Sequence, residues 1–574
     1  MAALRWRRGP LARVGLAAAV AAALLLAATA SLSAYPVGKD LPTLRLDYYA
    51  AGPILAGSLD PGLGGDPPAV ALVQANLVHI LPNGMIAPDL ATWKLSKNHL
   101  VYTFTIRKNA RFSNGHYVTA QDVAFSLERD LAPSTTSPVA LRYLNLVRGA
   151  DAFHSGKAKQ LAGVKVLGML TVQITITRPA GYFLVALSTP VGDVLDPAVV
   201  AGKPIGVLDP ATGLSAGNYL TNTCIGNQGA GPFEFVCHDR SSTLHSFYAG
   251  DIPTYTLVPN SYYYGRKPLI RLELPAFGPF DNYKTSYKRY LAGKLDASGI
   301  PFAYLRQWQG KREFHQFPSS AIDFLVPNTH LAPFDNVHCR LAVAYAIDRK
   351  TLADSVLVGA EWSAYGVLPK GMLGHYTGKD DPHYSLKRAR AELAQCPGRT
   401  TPIRLKFPGG VWGIKAMPFV GTELRAIGMN VRLVPLYEFG PTLSQPLDKT
   451  GTQIALNPWV PDYPDAQDYL FSLLHSGAPA NLGAWQDTTY DRLIDRGDAL
   501  SNPEEREKLY IEAQQIALSQ GAIVMLMQAK GLELVKPYVH GLVGTAVYTE
   551  VYRDLRPYLV PKDDDWANVS ISEH

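Results

Sequence analysis

An α/β fold spread over several domains is what this sequence predicts, and three observations carry the expectation. A strand-like segment, a helical one and a second strand follow one another between Thr401 and Leu436, the order of α/β units. Strands and helices also succeed one another along most of the remaining chain. At 574 residues the chain is too long for one ordinary core, so about two to four domains are expected. Hydrophobic content of 47% with 18% charged residues belongs to a soluble globular chain without a disorder signature. The 43 prolines and 30 tyrosines point to ordered loops and an aromatic-rich interior or cleft.

The N-terminus reads as an export signal. Arg5, Arg7, Arg8 and Arg13 form a basic region, Val14 to Ala30 is an unbroken small-apolar run, and Ala28, Thr29 and Ala30 offer an A-x-A cleavage site. The competing reading is an uncleaved anchor, because the run sits at the short limit for spanning a bilayer. The adjacent Arg7 and Arg8 also raise a twin-arginine signal, which the flanking pattern supports poorly. No cysteine lies near the cleavage region, so attachment of lipid to an N-terminal cysteine is not expected. The formal net charge of +6 falls to about +2 without these four arginines, which removes any polycationic bias toward nucleic acid.

Taken in order, Thr43 to Tyr49 alternates as a half-buried strand does, and Ser58 to Gly62 is a turn. Ala69 to Val78 reads as a helix, and the turn at Pro82, Asn83 and Gly84 feeds Ile86 to Trp93. Val101 to Ile106 (VYTFTI) is a strand. Thr119 with Asp122 three residues on is a helix start, favourable to the helix dipole. Two strands follow Gly163, and Pro179 to Leu187 suggests a helix. Further on come a strand at Ile270 to Leu274, a helix at Asn282 to Leu291 and an apolar strand at Ile322 to Pro327. Helical periods then appear at Val337 to Ile347, Ser385 to Gln395, Ala416 to Ile427 and Glu504 to Ser519. Strands are expected at Thr401 to Phe407, Val431 to Leu436 and Ile523 to Gln528.

One stretch concentrates chemistry. From Asn457 to Leu470 the chain reads NPWVPDYPDAQDYL, and Pro458, Pro461 and Pro464 predict a stiff irregular loop rather than a helix. Trp459 stands three residues ahead of Asp462. An aromatic wall beside a carboxylate suits a ligand with an ammonium group and an apolar body. A surface turn whose acids only solvate it is the competing reading.

Other chemistries find less support. G-x-S-x-G occurs at Gly213 to Gly217 around Ser215, but a nucleophile elbow needs a strand before it and a helix after it, and neither flank fits. The 14 histidines are scattered without HExxH, and the Asp462, Asp465, Asp468 series lacks the glycine and terminal glutamate of a calcium loop, so no metal site is expected. Neither phosphate-cradling glycine motif is present, and no cofactor is expected. The four cysteines, Cys224, Cys237, Cys339 and Cys396, allow three pairings in an exported protein. Cys224 with Cys237 closes the shortest loop, and Cys339 with Cys396 would follow by elimination.

An ordered set of blocks carries a resemblance. These are PNGMIAPDLATW and YTFTIRKNARFSNGHYVTAQDVAFSLER, with Pro88, Asp89, Trp93, Arg107, Phe112, Gly115 and Asp122 among the matching residues. They continue with GAGPFEF at 229–235, LAGKLDASGIP at 291–301, PFDNVHCRLAVAYAIDR at 333–349, LPKGM at 368–372 and WVPDYPD at 459–465. Over roughly residues 40 to 545 the chain resembles the extracytoplasmic solute-binding proteins of ABC importers, in the oligopeptide- and dipeptide-binding class known as solute-binding protein family 5.

The resemblance implies a two-lobed periplasmic-binding-protein-like fold with a hinge and an extra inserted domain, closing on a ligand between the lobes. After a signal peptide or anchor at 1–30, lobe I is expected from 31–60, 190–315 and 530–574, the extra domain from 61–189 and lobe II from 316–529. It further implies a non-catalytic monomer whose partners are a peptide or peptide-like solute and the membrane permease and ATPase subunits of an importer, with no nucleic acid. In peptide-binding relatives the acid of W-x-x-D receives the α-ammonium and the tryptophan lines a side-chain pocket, the positions of Asp462 and Trp459. Asn328 and Thr329 match a cleft-edge segment, with a cap and turn before the next helix as the competing reading. Pro461 before the acid, Ala466 where a second proline is common, and the segment around Cys224 and Cys237 depart from the pattern. The same scaffold in other relatives takes sugars, nickel complexes or other small solutes, which is the alternative ligand class.

Overall fold

A strand of three residues opens the ordered chain because Leu44 alternates with two half-exposed neighbours: this is β1 (Thr43–Arg45). The computed structural model describes residues 41–49, 72–81, 84–135, 137, 140–201, 207–208, 215–216, 229–236, 254–277, 284–376, 382–436, 446–545, 558–561 and 565–572. The chain divides into two units, Met1–Leu41 and Pro42–His574, and the strands and helices below belong to the second. The export segment, the turn at 58–62 and the cysteines Cys224 and Cys237 lie outside the described residues.

A small antiparallel sheet comes next, built from β2 (Ala91–Leu95), β3 (Val101–Ile106), β4 (Val164–Gly168) and β5 (Thr171–Thr175) in the order β2-β3-β5-β4. Between β3 and β4 run α1 (Ala120–Leu131) and α2 (Ala140–Leu144). The start of α1 is the predicted one. Thr119 accepts from the Asp122 amide while Asp122 Oδ2 accepts from the Thr119 amide at 2.8 Å, a reciprocal cap. Phe104, Val172 and Ile174 bury one sheet face against Val123, Leu127 and Leu131 of α1. The helix expected at Ala69 to Val78 is not formed over its C-terminal part. Val78–Ile80 is instead a strand paired antiparallel with Ile86–Pro88. Its apolar residues fit either period, and the partner strand decides between them.

A second sheet contains β6 (Phe233–Phe235), β7 (Thr254–Pro259) and β8 (Arg271–Phe277), in the order β1-β8-β7-β6, with β1 parallel to β8. Leu44, Phe233, Leu257 and Leu272 form its core together with Val569 from near the C-terminus. The glycines of GAGPFEF have a steric reason. A Cβ on Gly229 would stand 1.9 Å from the Val73 carbonyl oxygen.

The third sheet takes β9 (Ala297–Gly299), the long β10 (Phe314–Pro327) and, beyond α3 (Val337–Ala346), the short β11 (Glu361–Ser363). After α4 (Leu386–Ala394) come β12 (Ile403–Pro408), α5 (Val411–Ala426) and β13 (Val431–Leu436). The strand β12 lies parallel beside β13, so the predicted strand-helix-strand unit is present. Then β14 (Ile454–Trp459) leads through a short turn into α6 (Ala466–Leu474), α7 (Thr488–Ala499), α8 (Pro503–Ser519) and β15 (Val524–Val535). The order is β9-β15-β10-β14-β12-β13, with β11 against β15. Helices cover both faces, α3 and α5 on one and α6, α7 and α8 on the other.

Both β10 and β15 run well past the segments expected from hydrophobicity. Their shared ladder reaches from Leu325 opposite Val524 to Phe314 opposite Leu534, where β15 also pairs with β9. Midway, the register shifts between Pro318 and Ile322. Gln528 sits at this bulge, 2% exposed, donating to the Ser319 carbonyl at 2.8 Å while its Oε1 accepts from the Lys370 amide at 2.9 Å. The bulge accommodates Pro318, which has no N–H to contribute to a ladder.

A disulfide joins Cys339 on α3 to Cys396 just beyond α4, with both residues fully buried. It closes a loop with a sequence separation of 57. Constraint of the unfolded chain then contributes about 2–4 kcal/mol. The Cys339→Ser/Cys396→Ser double variant is expected to lose that amount in urea unfolding under oxidising conditions, and the wild-type protein is expected to fall toward it when reductant is added.

Candidate ligand-binding site

The turn between β14 and α6 is shorter than the irregular loop expected for 457–470. Pro458 lies within β14 opposite Asp323 of β10, and the helix begins at Ala466. Pairing of β14 with β12 covers only Ile454 and Ala455, so at Pro458 the second edge of the strand carries no ladder for a proline to interrupt. Asp465 starts α6 by accepting from the Gln467 amide at 2.9 Å, a normal N-cap. Only residues 460–465 form the turn, and its acids are folded inward.

Each acid meets a different compensating group. Asp465 receives the Arg506 guanidinium from α8 through two nitrogens, Nη1 to Oδ2 at 3.0 Å and Nη2 to Oδ1 at 2.6 Å, both side chains being under a tenth exposed. Tyr510 takes a further Arg506 N–H at 2.9 Å and donates to Asp498 at 2.8 Å. Burial pushes the Asp498 carboxyl up to about 7. Asp468, in the first turn of α6, presents one oxygen to two donors: the indole Nε1–H of Trp459 at 3.2 Å and the amide of Asp462 at 2.9 Å. It thereby holds the tryptophan and the backbone of the acid in one arrangement. Burial, reinforced by the charge of Asp462, pushes the Asp468 carboxyl well above the usual carboxylate range.

Asp462 itself meets Arg142 of α2. One guanidinium nitrogen, Nη1, lies 2.7 Å from both Oδ1 and Oδ2. The carboxylate is 14% exposed and the arginine 53%. Burial pushes the Asp462 carboxyl up, and the Arg142 charge and hydrogen bonds only partly oppose it. The neighbouring Tyr143 donates to the Asp462 carbonyl at 3.2 Å, and Tyr463 stacks on Tyr182 with centroids 5.9 Å apart and an interplanar angle of 6°. The turn on the third sheet is thus seated against the small-sheet region. The approach is close enough to need a glycine. A Cβ on Gly181 would stand 2.0 Å from the Leu500 carbonyl oxygen, and the Gly181 amide donates to the Asp498 carbonyl at 2.7 Å.

The structure brings Trp459 and Asp462 together through Asp468 and leaves Asn328 and Thr329 in a separate turn. Asn328 is fully buried, donating to the Thr452 carbonyl at 3.0 Å and accepting from the His330 amide at 3.1 Å. Thr329 donates its hydroxyl to the Gly483 carbonyl at 2.9 Å. Both side chains serve backbone groups there. Ser215 lies in a two-residue strand, Ser215–Ala216, paired with Val207–Leu208. Sequence reasoning missed Arg142 and Asp468. Asp468 had a signal in its place one turn beyond Asp465 on an otherwise apolar helix, whereas Arg142 is distant in sequence and had none.

A second acidic feature borders the turn. Burial pushes the carboxyl of Asp323, opposite Pro458, up to about 7, and burial with the charge of Asp323 pushes that of Glu361 on β11, 3% exposed, well above the usual carboxylate range, while Lys530 partly offsets the effect on Glu361.

The fold is that of the two-lobed periplasmic binding proteins. The chain belongs to the bacterial extracellular solute-binding proteins, family 5, whose model matches residues 85–481. Among curated relatives, the probable D,D-dipeptide-binding periplasmic protein DdpA of Escherichia coli K12 is 25% identical over 475 residues, 81% of this chain and 83% of that protein. Heme-binding protein A of Haemophilus influenzae is 27% identical over 487 residues, 80% of this chain and 82% of that protein. Among solved structures, the unliganded open form of the murein tripeptide-binding protein MppA of E. coli superposes with a TM-score of 0.74 at 22% identity, covering 93% of this chain and 98% of that one.

Two outcomes follow for stability. Asp468→Ala leaves two buried N–H donors without an acceptor and is expected to cost about 2–4 kcal/mol in urea unfolding, whereas Asp468→Asn, which keeps an acceptor oxygen, should cost less than about 1 kcal/mol. For Asp323 and Glu361 the folded pKa lies above the unfolded one. Their contribution to stability is therefore full below the usual carboxylate pKa of about 4 and is lost as pH rises through the folded value. The Asp323→Asn/Glu361→Gln variant should accordingly gain on the wild type by more than about 1 kcal/mol between pH 4 and pH 8, read as the difference in unfolding free energy.

Proposed function

We propose that the chain is a non-catalytic extracytoplasmic receptor that captures a peptide or peptide-like solute and delivers it to the membrane permease of an ABC-type importer. Family membership supports the receptor class, and two of the relatives above carry peptides in their names, one a D,D-dipeptide and one a murein tripeptide. The observation that carries the reading is the Asp462 carboxylate, desolvated on a turn that faces another part of the chain, with Trp459 held through the same Asp468 oxygen as the Asp462 backbone. A group so placed favours a cationic visitor over water.

In this reading the solute lies between a first lobe built on 31–60, 190–315 and 530–574 and a second built on 316–529, with 61–189 as the inserted domain. The ladder of β10 and β15 connects the lobes, and its bulge at 319–321 is where they pivot. Asp462 binds the solute's amine and Trp459 covers the adjoining apolar portion. Export followed by signal cleavage, or retention of 1–30 as a tether, places the receptor on the outer face of the membrane. The haem-binding relative is the specific ground for a second reading, a non-peptide solute on the same scaffold.

Native mass spectrometry of the protein as purified is expected to show a retained peptide-sized mass that is released on partial unfolding. In calorimetric titrations, Asp462→Ala should weaken binding of a free-amine peptide by about 2–4 kcal/mol, because an ammonium is then desolvated without its partner. Equal binding of free and N-acetylated peptides would remove the amine from the reading.

A further inference from the structure

The two arginine–aspartate pairs of the turn differ in a way that has consequences for ligand selection. Arg506 grips Asp465 as a fork, one nitrogen to each oxygen, with both partners buried. That arrangement matches the planar guanidinium to the planar carboxylate and is the strong form of the contact. Arg142 does not do this at Asp462. A single nitrogen sits at 2.7 Å from both oxygens, and the arginine is 53% exposed. One nitrogen bridging two carboxylate oxygens is the geometry of an ammonium, a compact point charge with three donors, rather than that of a guanidinium.

We propose that Arg142 is a displaceable stand-in for the ligand's ammonium: its Nη1 marks the position that a primary amine takes on Asp462, and ligand entry exchanges one cation for the other. The inference rests on the receptor reading above and names the residue that sets its charge selectivity.

Three properties of the site support the exchange. An ion pair whose cation is half exposed is worth little in water, so the contact of Arg142 with Asp462 is itself readily given up. The Asp462 carboxylate is far more buried than its partner, and Arg142 only partly offsets the upward push of burial on it, so a cation delivered with its own apolar shielding is the better partner. Arg142 also comes from α2, on a different sheet region from Asp462, whereas Arg506 and Asp465 both belong to the third-sheet region. Displacing Arg142 therefore alters a contact between two parts of the molecule, while the Arg506 fork keeps the turn in shape.

The occupied state explains how an acid can stay buried while the site is empty. Without Arg142 it would be desolvated with no cation beside it, and an arriving amine would be the group that supplies one. With Arg142 in place the carboxylate has a cation beside it, and a neutral or anionic solute has no means of releasing the arginine.

The test is calorimetric titration with tri-, tetra- and pentaalanine, each with a free amine and N-acetylated, against the wild type, Arg142→Met and Arg142→Met in an Asp462→Asn background. Methionine keeps a long apolar stem without charge, and circular dichroism verifies folding. Removal of the competitor should tighten binding of the free-amine peptides about three- to tenfold and leave the acetylated ones unchanged. The gain should vanish in the Asp462→Asn background. Unchanged or weaker binding of free-amine peptides by Arg142→Met, beside a wild type that prefers them to the acetylated forms, overturns the exchange and leaves the receptor reading standing. A wild type that binds free and acetylated forms alike, or binds neither, overturns both.

Discussion

Removing a carboxylate from water without a partner costs more than any single contact in a protein returns, and the turn at 460–465 and its entry into α6 meet that constraint three times. Asp465 is answered by an arginine fork, Asp468 by an indole and a backbone amide, and Asp462 by one nitrogen of Arg142. The three answers come from α8, from β14 with the turn itself, and from α2. The acids therefore act as ties that fix where each of those elements can lie. Tyr463, between them, enters the core of the small-sheet region, so the charged contacts are backed by an apolar one.

The strand that leads into the turn, β14, is itself ordered by β10, whose other edge is paired along most of its length with β15. A ladder of this length is stiff along the strands and yields where its register breaks. The break at 319–321 is not left open, because the Gln528 amide links the Ser319 carbonyl to the Lys370 backbone. A fully buried amide that spans a bulge defines one bulge geometry and opposes others, since any shift leaves its donors or acceptor unmatched. Ladder pairing on both sides and the Gln528 bonds between them give the two strands one defined course through the third sheet.

Much of this was readable from the residues. The α/β class, the reciprocal cap at Thr119 and Asp122, the strand over 101–106 and the β12-α5-β13 unit follow from local periods and caps, which depend on near neighbours only. The departures also have local causes. Ala69 to Val78 carries apolar residues that suit either period, and the partner at Ile86–Pro88 decided the matter. The polar and proline-containing first half of β10 does not alternate cleanly, so its length was hidden, and Gly413 and Pro418 masked the first turns of α5. The site was half legible. Trp459 and Asp462 stand out in the sequence by type and spacing, and Asp468, though its part in holding them was missed, lies within the same stretch. Arg142 was not legible, because nothing in a sequence ties a residue to a partner 320 positions away. Asn328 and Thr329 show the converse, since side chains that look available for a ligand serve the backbone of their own turn.

The contrast between the two aspartates separates scaffold from selectivity within one short turn. A fork between two buried groups has no room for a rival, because a newcomer must break two matched bonds and strand a guanidinium in the interior. A single-nitrogen contact with a half-exposed arginine has a low barrier to replacement, because the displaced cation returns to water with little loss. On the exchange proposal Asp465 holds the turn and Asp462 changes partner, although both are aspartates paired to arginines. A buried acid whose partner can be exchanged is the arrangement with which a receptor can tell an amine from a neutral solute. It persists only while some cation of the protein's own keeps the place.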